Sequence, residues 1–285
     1  MMPPAQPQDV PKSSRPMSAG NRTATHQVGS MVIKYLRPFA DVKLERIELA
    51  HEGGYLAIAQ GAGVVPLLGG GETLLAVEEL TAAPPLSAPP NLLLPDPPVS
   101  EWRYLVSQHI EGKTLKEKLL ERQANQEPGS QLALKAITWI QALCTALRRL
   151  HEAPGAQQLI HRDITPSNVL ISASGQVFLN DFGLAHQPIR GELPDNSLLQ
   201  GTKAYLAPEL RSGWQPTPAS DIYQVGLLWA SLLYPEAEAA ISENRSHDLM
   251  NIVKRSDTHP LLIRALSLRQ EERPSAAQIT HAATP

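Results

Sequence analysis

Cysteine is almost missing from these 285 residues, and the single one, Cys144, has no partner for an intrachain disulfide. That excludes a disulfide-stapled fold and fits a reducing compartment. Its neighbours Ile140, Ala142, Leu143 and Leu147 follow a helix face, so Cys144 reads as a core residue rather than a reactive thiol. An excess of basic charge is also missing: 25 Lys and Arg stand against 28 Asp and Glu, for a net charge of −3. Nothing in that balance calls for nucleic acid as a partner. No stretch reaches the roughly 18 apolar residues that cross a bilayer, and the longest candidate, 225–234, reads as a buried helix. The first residues, Met-Met-Pro-Pro-Ala-Gln-Pro, lack the charged and apolar blocks of a signal peptide. The expectation is a cytoplasmic chain without a membrane anchor.

What is present is the composition of a soluble globular protein, 42% hydrophobic and 19% charged, long enough for one good core or two small ones. Residues 1–25, rich in Pro, Ser, Gln and Asn, read as a disordered tail. A strand carrying Lys34 follows and stops at Pro38. Helical spacing runs from 41 to 60, with Gly53 and Gly54 inside it predicting a break or a mobile turn. Residues 64–77 read as strand, turn and strand, with the turn at Gly69, Gly70 and Gly71. A proline-rich insertion near 82–98 precedes a strand beginning at Tyr104. Thr114 to Arg122 reads as a short amphipathic helix. Leu132 to His151 reads as a long one, with its apolar face at 134, 137, 140, 143, 147 and 150.

The chemistry concentrates between His161 and Gly183. Val169 to Ile171 and Val177 to Leu179 are short apolar runs separated by Ser-Ala-Ser-Gly, the pattern of a β-hairpin with a glycine turn. A hairpin of that length returns its ends to one place, so Asp163, Asn168 and Asp181 are expected around one small volume. Two carboxylates and an amide there can hold a divalent cation through oxygen and leave one carboxylate to steer a nucleophile.

This stretch, His161-Arg-Asp-Ile-Thr-Pro-Ser-Asn168 followed by Asp181-Phe-Gly183, resembles the catalytic loop and metal-binding turn of eukaryotic-type Ser/Thr protein kinases. Gly201 to Glu209 resembles the G-T-x-x-Y-x-A-P-E closing motif, Ser220 to Gly226 the next family element, and Glu272-Arg273-Pro274 the source of an arginine paired with Glu209. The resemblance implies an α+β, two-lobed fold: a small β-rich lobe at 26–108, degenerate or truncated, and a larger mainly helical lobe at 109–285. It implies ATP and Mg²⁺ as cofactors and a protein Ser or Thr hydroxyl as acceptor. Asp163 would steer the attacking hydroxyl, and Asn168 and Asp181 would hold Mg²⁺. Lys34 would grip the α- and β-phosphates, oriented by Glu52, with Glu48 as the alternative. Ser107 would back the adenine pocket, with Gln108 to Ile110 as the hinge. His161 would pack under the metal-binding turn, and Arg162 would offer a cation to a phosphate on the 184–200 segment, where Ser197 is the first candidate.

Two features depart from the family. No G-x-G-x-x-G precedes the Lys34 strand, where the nearest upstream glycines are Gly20 and Gly29, and this implies weaker nucleotide binding. Thr165 replaces the lysine most Ser/Thr kinases carry two residues after the catalytic aspartate. The alternative reading is therefore a pseudokinase that binds nucleotide or partners and transfers little phosphate. Substrate identity and oligomeric state are not legible.

Overall fold

The computed structural model of the protein describes residues 15–19, 23–36, 42–71, 104–125, 130–188, 200–254 and 259–282. The chain divides into two compact units, one formed by residues up to 61 together with 65–111, the other by 62–64 together with 112 onward. The proline-rich 82–98, the strand expected at 74–77, Gly20 and Ser197 lie outside the described residues. Among the described residues no helix is long and apolar enough to cross a membrane.

In the first unit, strands β1 (Arg15–Ala19), β2 (Thr23–Val28), β3 (Met31–Leu36), β4 (Leu67–Gly71) and β5 (Tyr104–Gln108) form one sheet in the order β1-β2-β3-β5-β4. Every neighbouring pair is antiparallel. Alternation puts Met31 and Ile33 of β3 beside Tyr104 and Val106 of β5, and with Val28 they make a buried cluster. Helix α1 (Val42–Ala59) packs on this unit with Leu49, Leu56 and Ala59 buried. It ends where Gln60 returns its side-chain amide to the Leu56 carbonyl at 2.8 Å and Gly61 takes a φ of 136°.

Several expectations are corrected here. Residues 15–19 and 23–25, read as part of a disordered tail, are strand: 15–19 find their backbone partners on β2, and 23–25 find theirs on β3 and, at residues 24 and 25, on β1. Among the described residues the small β-rich lobe carries five strands in one sheet. Gly69, Gly70 and Gly71 are not a turn, because they pair with Val106, Leu105 and Tyr104 inside β4. Helix α1 runs unbroken through Gly53 and Gly54, since tertiary packing outweighs up to about 1 kcal/mol of propensity per glycine.

The second unit opens with β6 (Gly112–Thr114), which pairs with β7 (Val169–Ser172), itself paired with β8 (Val177–Leu179). Val64, expected in the small lobe, bridges to Leu179 instead, and the Leu179 N–H donates to Gly63 at 2.8 Å. Helix α2 (Leu115–Ala124) starts at a capping box between Thr114 and Glu117. Helix α3 (Ser130–His151) buries Ile137, Ile140, Leu143, Leu147 and Leu150, while Leu134, expected on that face, is 80% exposed one turn from the helix start. Cys144 is fully buried and its thiol is pushed far up by burial, the state of an inert core residue. A four-residue helix α4 (Pro208–Arg211) leads to α5 (Pro218–Leu233), buried from Ser220 to Leu232 and packed on α3. Helices α6 (Ala237–Ser242), α7 (Ser246–Lys254), α8 (Pro260–Ala265) and α9 (Ala276–Thr280) complete the unit, with α9 on α3 and α8 on α5.

Candidate active site

In the first unit β3 carries Lys34 and α1 carries Glu52. The Lys34 ammonium donates to both carboxylate oxygens of Glu52, at 2.9 and 2.8 Å. The Glu52 side chain is only 7% exposed, so water does little to dissolve the pair. Glu48, the alternative partner, is exposed. Ser107 is half-buried in β5 between Val32 and Leu67. The Gln108 and His109 N–H groups donate to Pro66 and Ser30 at 2.9 and 2.8 Å. Among the described residues the Ile110 N–H meets no acceptor.

In the second unit the chain leaves α3, passes Ile160 (bridged to His186) and enters the loop 161–168. Asp221, at the start of α5, takes the His161 and Arg162 N–H groups on its two oxygens at 2.9 and 2.8 Å. His151 adds a 2.8 Å contact to the same carboxylate. Burial alone would raise the Asp221 carboxyl, but the His151 hydrogen bond, nearby histidine charge and the His161 N–H outweigh it and hold it low. Gln224, one turn on, accepts from the Ile164 N–H and donates to the Arg162 carbonyl. These bonds hold Arg162 at a φ of 71°, a left-handed conformation that a non-glycine residue keeps only where its surroundings fix it.

The result is a rigidly presented Asp163. Its Oδ2 accepts from the Asn168 amide at 2.9 Å, and its Oδ1 accepts from the Thr202 N–H at 3.2 Å. Asn168 also donates to the Asp163 carbonyl at 2.8 Å. Its amide nitrogen is thereby spent on Asp163, and its oxygen is presented elsewhere. The β7–β8 hairpin brings the chain back to Asp181, whose φ of 63° is again left-handed. The Asn180 N–H donates to the Asn168 carbonyl at 2.9 Å, fixing the two ends of the hairpin together. His161 packs edge-on against Phe182 at 4.8 Å between ring centroids and reaches the Asn180 carbonyl at 3.2 Å, a structural role.

An amide oxygen and a carboxylate suit Mg²⁺, which takes one or two protein carboxylates and completes its shell with phosphate and water. No cluster of three or more His, Cys, Asp or Glu side chains fit to hold a metal occurs among the described residues.

Arg162 is buried at 3% exposure and donates to the Leu184 carbonyl at 3.1 Å. Thr165 is equally buried and brings no charge. Glu209 and Arg273 form a bidentate pair at 2.7 and 2.8 Å, and Ser220 donates to Glu209 at 2.8 Å. Burial would raise the Glu209 carboxyl; Arg273 and the helix-end N–H outweigh it and keep it low.

Sequence reasoning missed His151, Gln224 and Arg211. Gln224 left a signal, a polar residue in an apolar helix, which needs a buried partner. Arg211 left none: its Nε donates to Leu206 at 2.9 Å, and its Nη2 lies 3.4 Å from the Lys203 and Ala204 carbonyls.

The sequence profile of the protein kinase domain matches residues 96–283. The serine/threonine-protein kinase PknL of Mycobacterium tuberculosis is 36% identical over 130 residues, 46% of this chain and 30% of that protein. The serine/threonine-protein kinase drp72 of Corynebacterium efficiens is 32% identical over 138 residues, 48% of this chain and 25% of its own length. An L-type lectin-domain containing receptor kinase of Arabidopsis thaliana is 37% identical over 131 residues, 44% of this chain and 18% of its length. The chain thus spans less than a third of the length of these relatives. With the profile covering more than half of the chain and the loop, hairpin and closing segment laid out as described, the chain belongs to the protein kinase domain family.

Proposed function

We propose that this chain is a serine/threonine protein kinase that moves the γ-phosphoryl group of ATP to a hydroxyl of a protein substrate in the cytoplasm. The observation that carries the reading is Asp163, held on one oxygen by Asn168 and on the other by the Thr202 N–H. Such a carboxylate can orient the acceptor hydroxyl and take its proton as the oxygen attacks phosphorus and ADP leaves. Bound Mg²⁺, held by the Asn168 oxygen and Asp181, would supply charge neutralisation for the phosphates. Lys34, fixed by Glu52, supplies a cation for the α- and β-phosphates. The unpaired Ile110 N–H offers adenine a hydrogen bond, and Ser107 leaves that end of the pocket roomy.

Thr165 favours a second reading, a pseudokinase, because no cation stands two residues after Asp163. The two separate when the protein is incubated with labelled ATP, Mg²⁺ and a degenerate peptide mixture with a central Ser or Thr. The kinase reading expects incorporation that falls about 10²- to 10⁴-fold in Asp163→Asn. Equal labelling by the wild type and the variant ends it, and stabilisation by nucleotide without transfer leaves the pseudokinase.

A further inference from the structure

We propose that the protein substrate carries acidic residues beside its acceptor hydroxyl, read by Lys203 and Arg211. The inference rests on the kinase reading and names the substrate class of the same site.

The Thr202 N–H sits 3.2 Å from the Asp163 Oδ1, so the next residue, Lys203, starts its side chain one peptide unit from the acid that meets the acceptor. Lys203 is exposed and forms no ion pair among the described residues. The Arg211 guanidinium donates to the Leu206 carbonyl and reaches those of Lys203 and Ala204. These contacts anchor the second cation beside the first while the residue stays exposed. Three residues after Arg211, Trp214 is 65% exposed and offers a flat apolar surface.

Among the described residues no carboxylate forms an ion pair with either cation, and Glu238, on the helix packed against the Lys203–Tyr205 turn, is taken by Arg122 at 2.6 Å. From Gln200 to Thr217 the one acidic residue is Glu209, and it is buried and neutralised by Arg273. In the loop 161–168 the acid is Asp163 itself, and Thr165 and Ser167 are neutral. A chain with a net charge of −3 therefore presents a positive, aromatic patch beside its candidate catalytic carboxylate. A basic peptide would find no partner there and would be repelled. An acidic one would gain two cations within a Debye length of about 8–10 Å.

The test reads binding and transfer separately. Fluorescent peptides with one central Ser or Thr and acidic, neutral or basic flanks are titrated into the full chain and into Asp163→Asn, at low and high salt. Each exposed charge pair is expected to change affinity about two- to five-fold. The acidic peptide should bind tightest, with a lead that shrinks as salt rises. Lys203→Glu should reverse the order, and Lys203→Arg should keep it. Equal or tighter binding of the basic peptide, or an unchanged order in Lys203→Glu, overturns the proposal. If the binding order holds but no peptide is labelled by ATP, the patch stands and the kinase reading falls.

Discussion

Arg273 donates to both oxygens of Glu209 and to the Ser267 and Ala219 carbonyls, and it lies 4.9 Å from the Tyr223 ring centroid. Removing it strands a buried carboxylate without its counterion. Arg273→Ala should therefore lower stability by about 3–5 kcal/mol, read from the urea unfolding midpoint. Arg273→Lys should recover only part of this, because an ammonium cannot match two carboxylate oxygens with a planar fork. If both variants unfold with the wild type, the pair is not stabilising. At this scale the sequence was informative where residues sit in a motif. Lys34, Glu52, Asp163, Asn168, Glu209 and Arg273 were all nameable, yet no local pattern pairs Glu209 with Arg273; the resemblance did. Where no motif applies, as for Arg211 and His151, the partners come from chain crossings that local spacing does not encode.

Elements were legible where side-chain alternation and turn chemistry agreed. The β7–β8 hairpin has apolar residues at Val169, Ile171, Val177 and Leu179, all facing in, and Gly175 at a φ of 85° in its turn. Strands β1, β2 and β4 lack that agreement. Arg-Pro-Met-Ser-Ala, Thr-Ala-Thr-His-Gln-Val and Leu-Leu-Gly-Gly-Gly owe their extended form to backbone ladders with their neighbours. Two glycines separate these effects. A Cβ at Gly112 would run into the Ile171 carbonyl oxygen and lie 2.7 Å from the Ser172 Cα, both backbone atoms of β7. A Cβ at Gly175 meets open space. Gly112→Ala should therefore force β6 off β7 and cost about 2–3 kcal/mol. Gly175→Ala should cost only the left-handed strain of about 1 kcal/mol. Amide hydrogen exchange gives the check: protection at 112–114 and 170–172 should be lost in the first variant and kept in the second. Equal loss in both would mean that the close approach is not what sets the register.

For the whole molecule, acid should act in two stages set by different groups in the second unit. Burial, with the nearby Arg162 charge, pushes His186 down to about 4 from 6.5. Between those values an unfolded chain takes up a proton that the folded chain refuses, so stability falls as pH drops from 6.5 to about 4. Glu209 and Asp221 are instead held low in the fold. Their contribution is present above the ordinary carboxylate values of 4.5 and 3.8 and is lost as pH falls through their depressed folded values. The upper limb therefore belongs to a histidine that must stay neutral, and the lower limb to carboxylates that must stay charged. His186→Gln should flatten Tm against pH in the upper window while leaving the fall below it. Glu209→Gln should lower Tm throughout the neutral range and weaken the acid limb. A His186→Gln curve parallel to the wild type through the upper window would assign that limb to other groups and leave His186 without a part in acid stability.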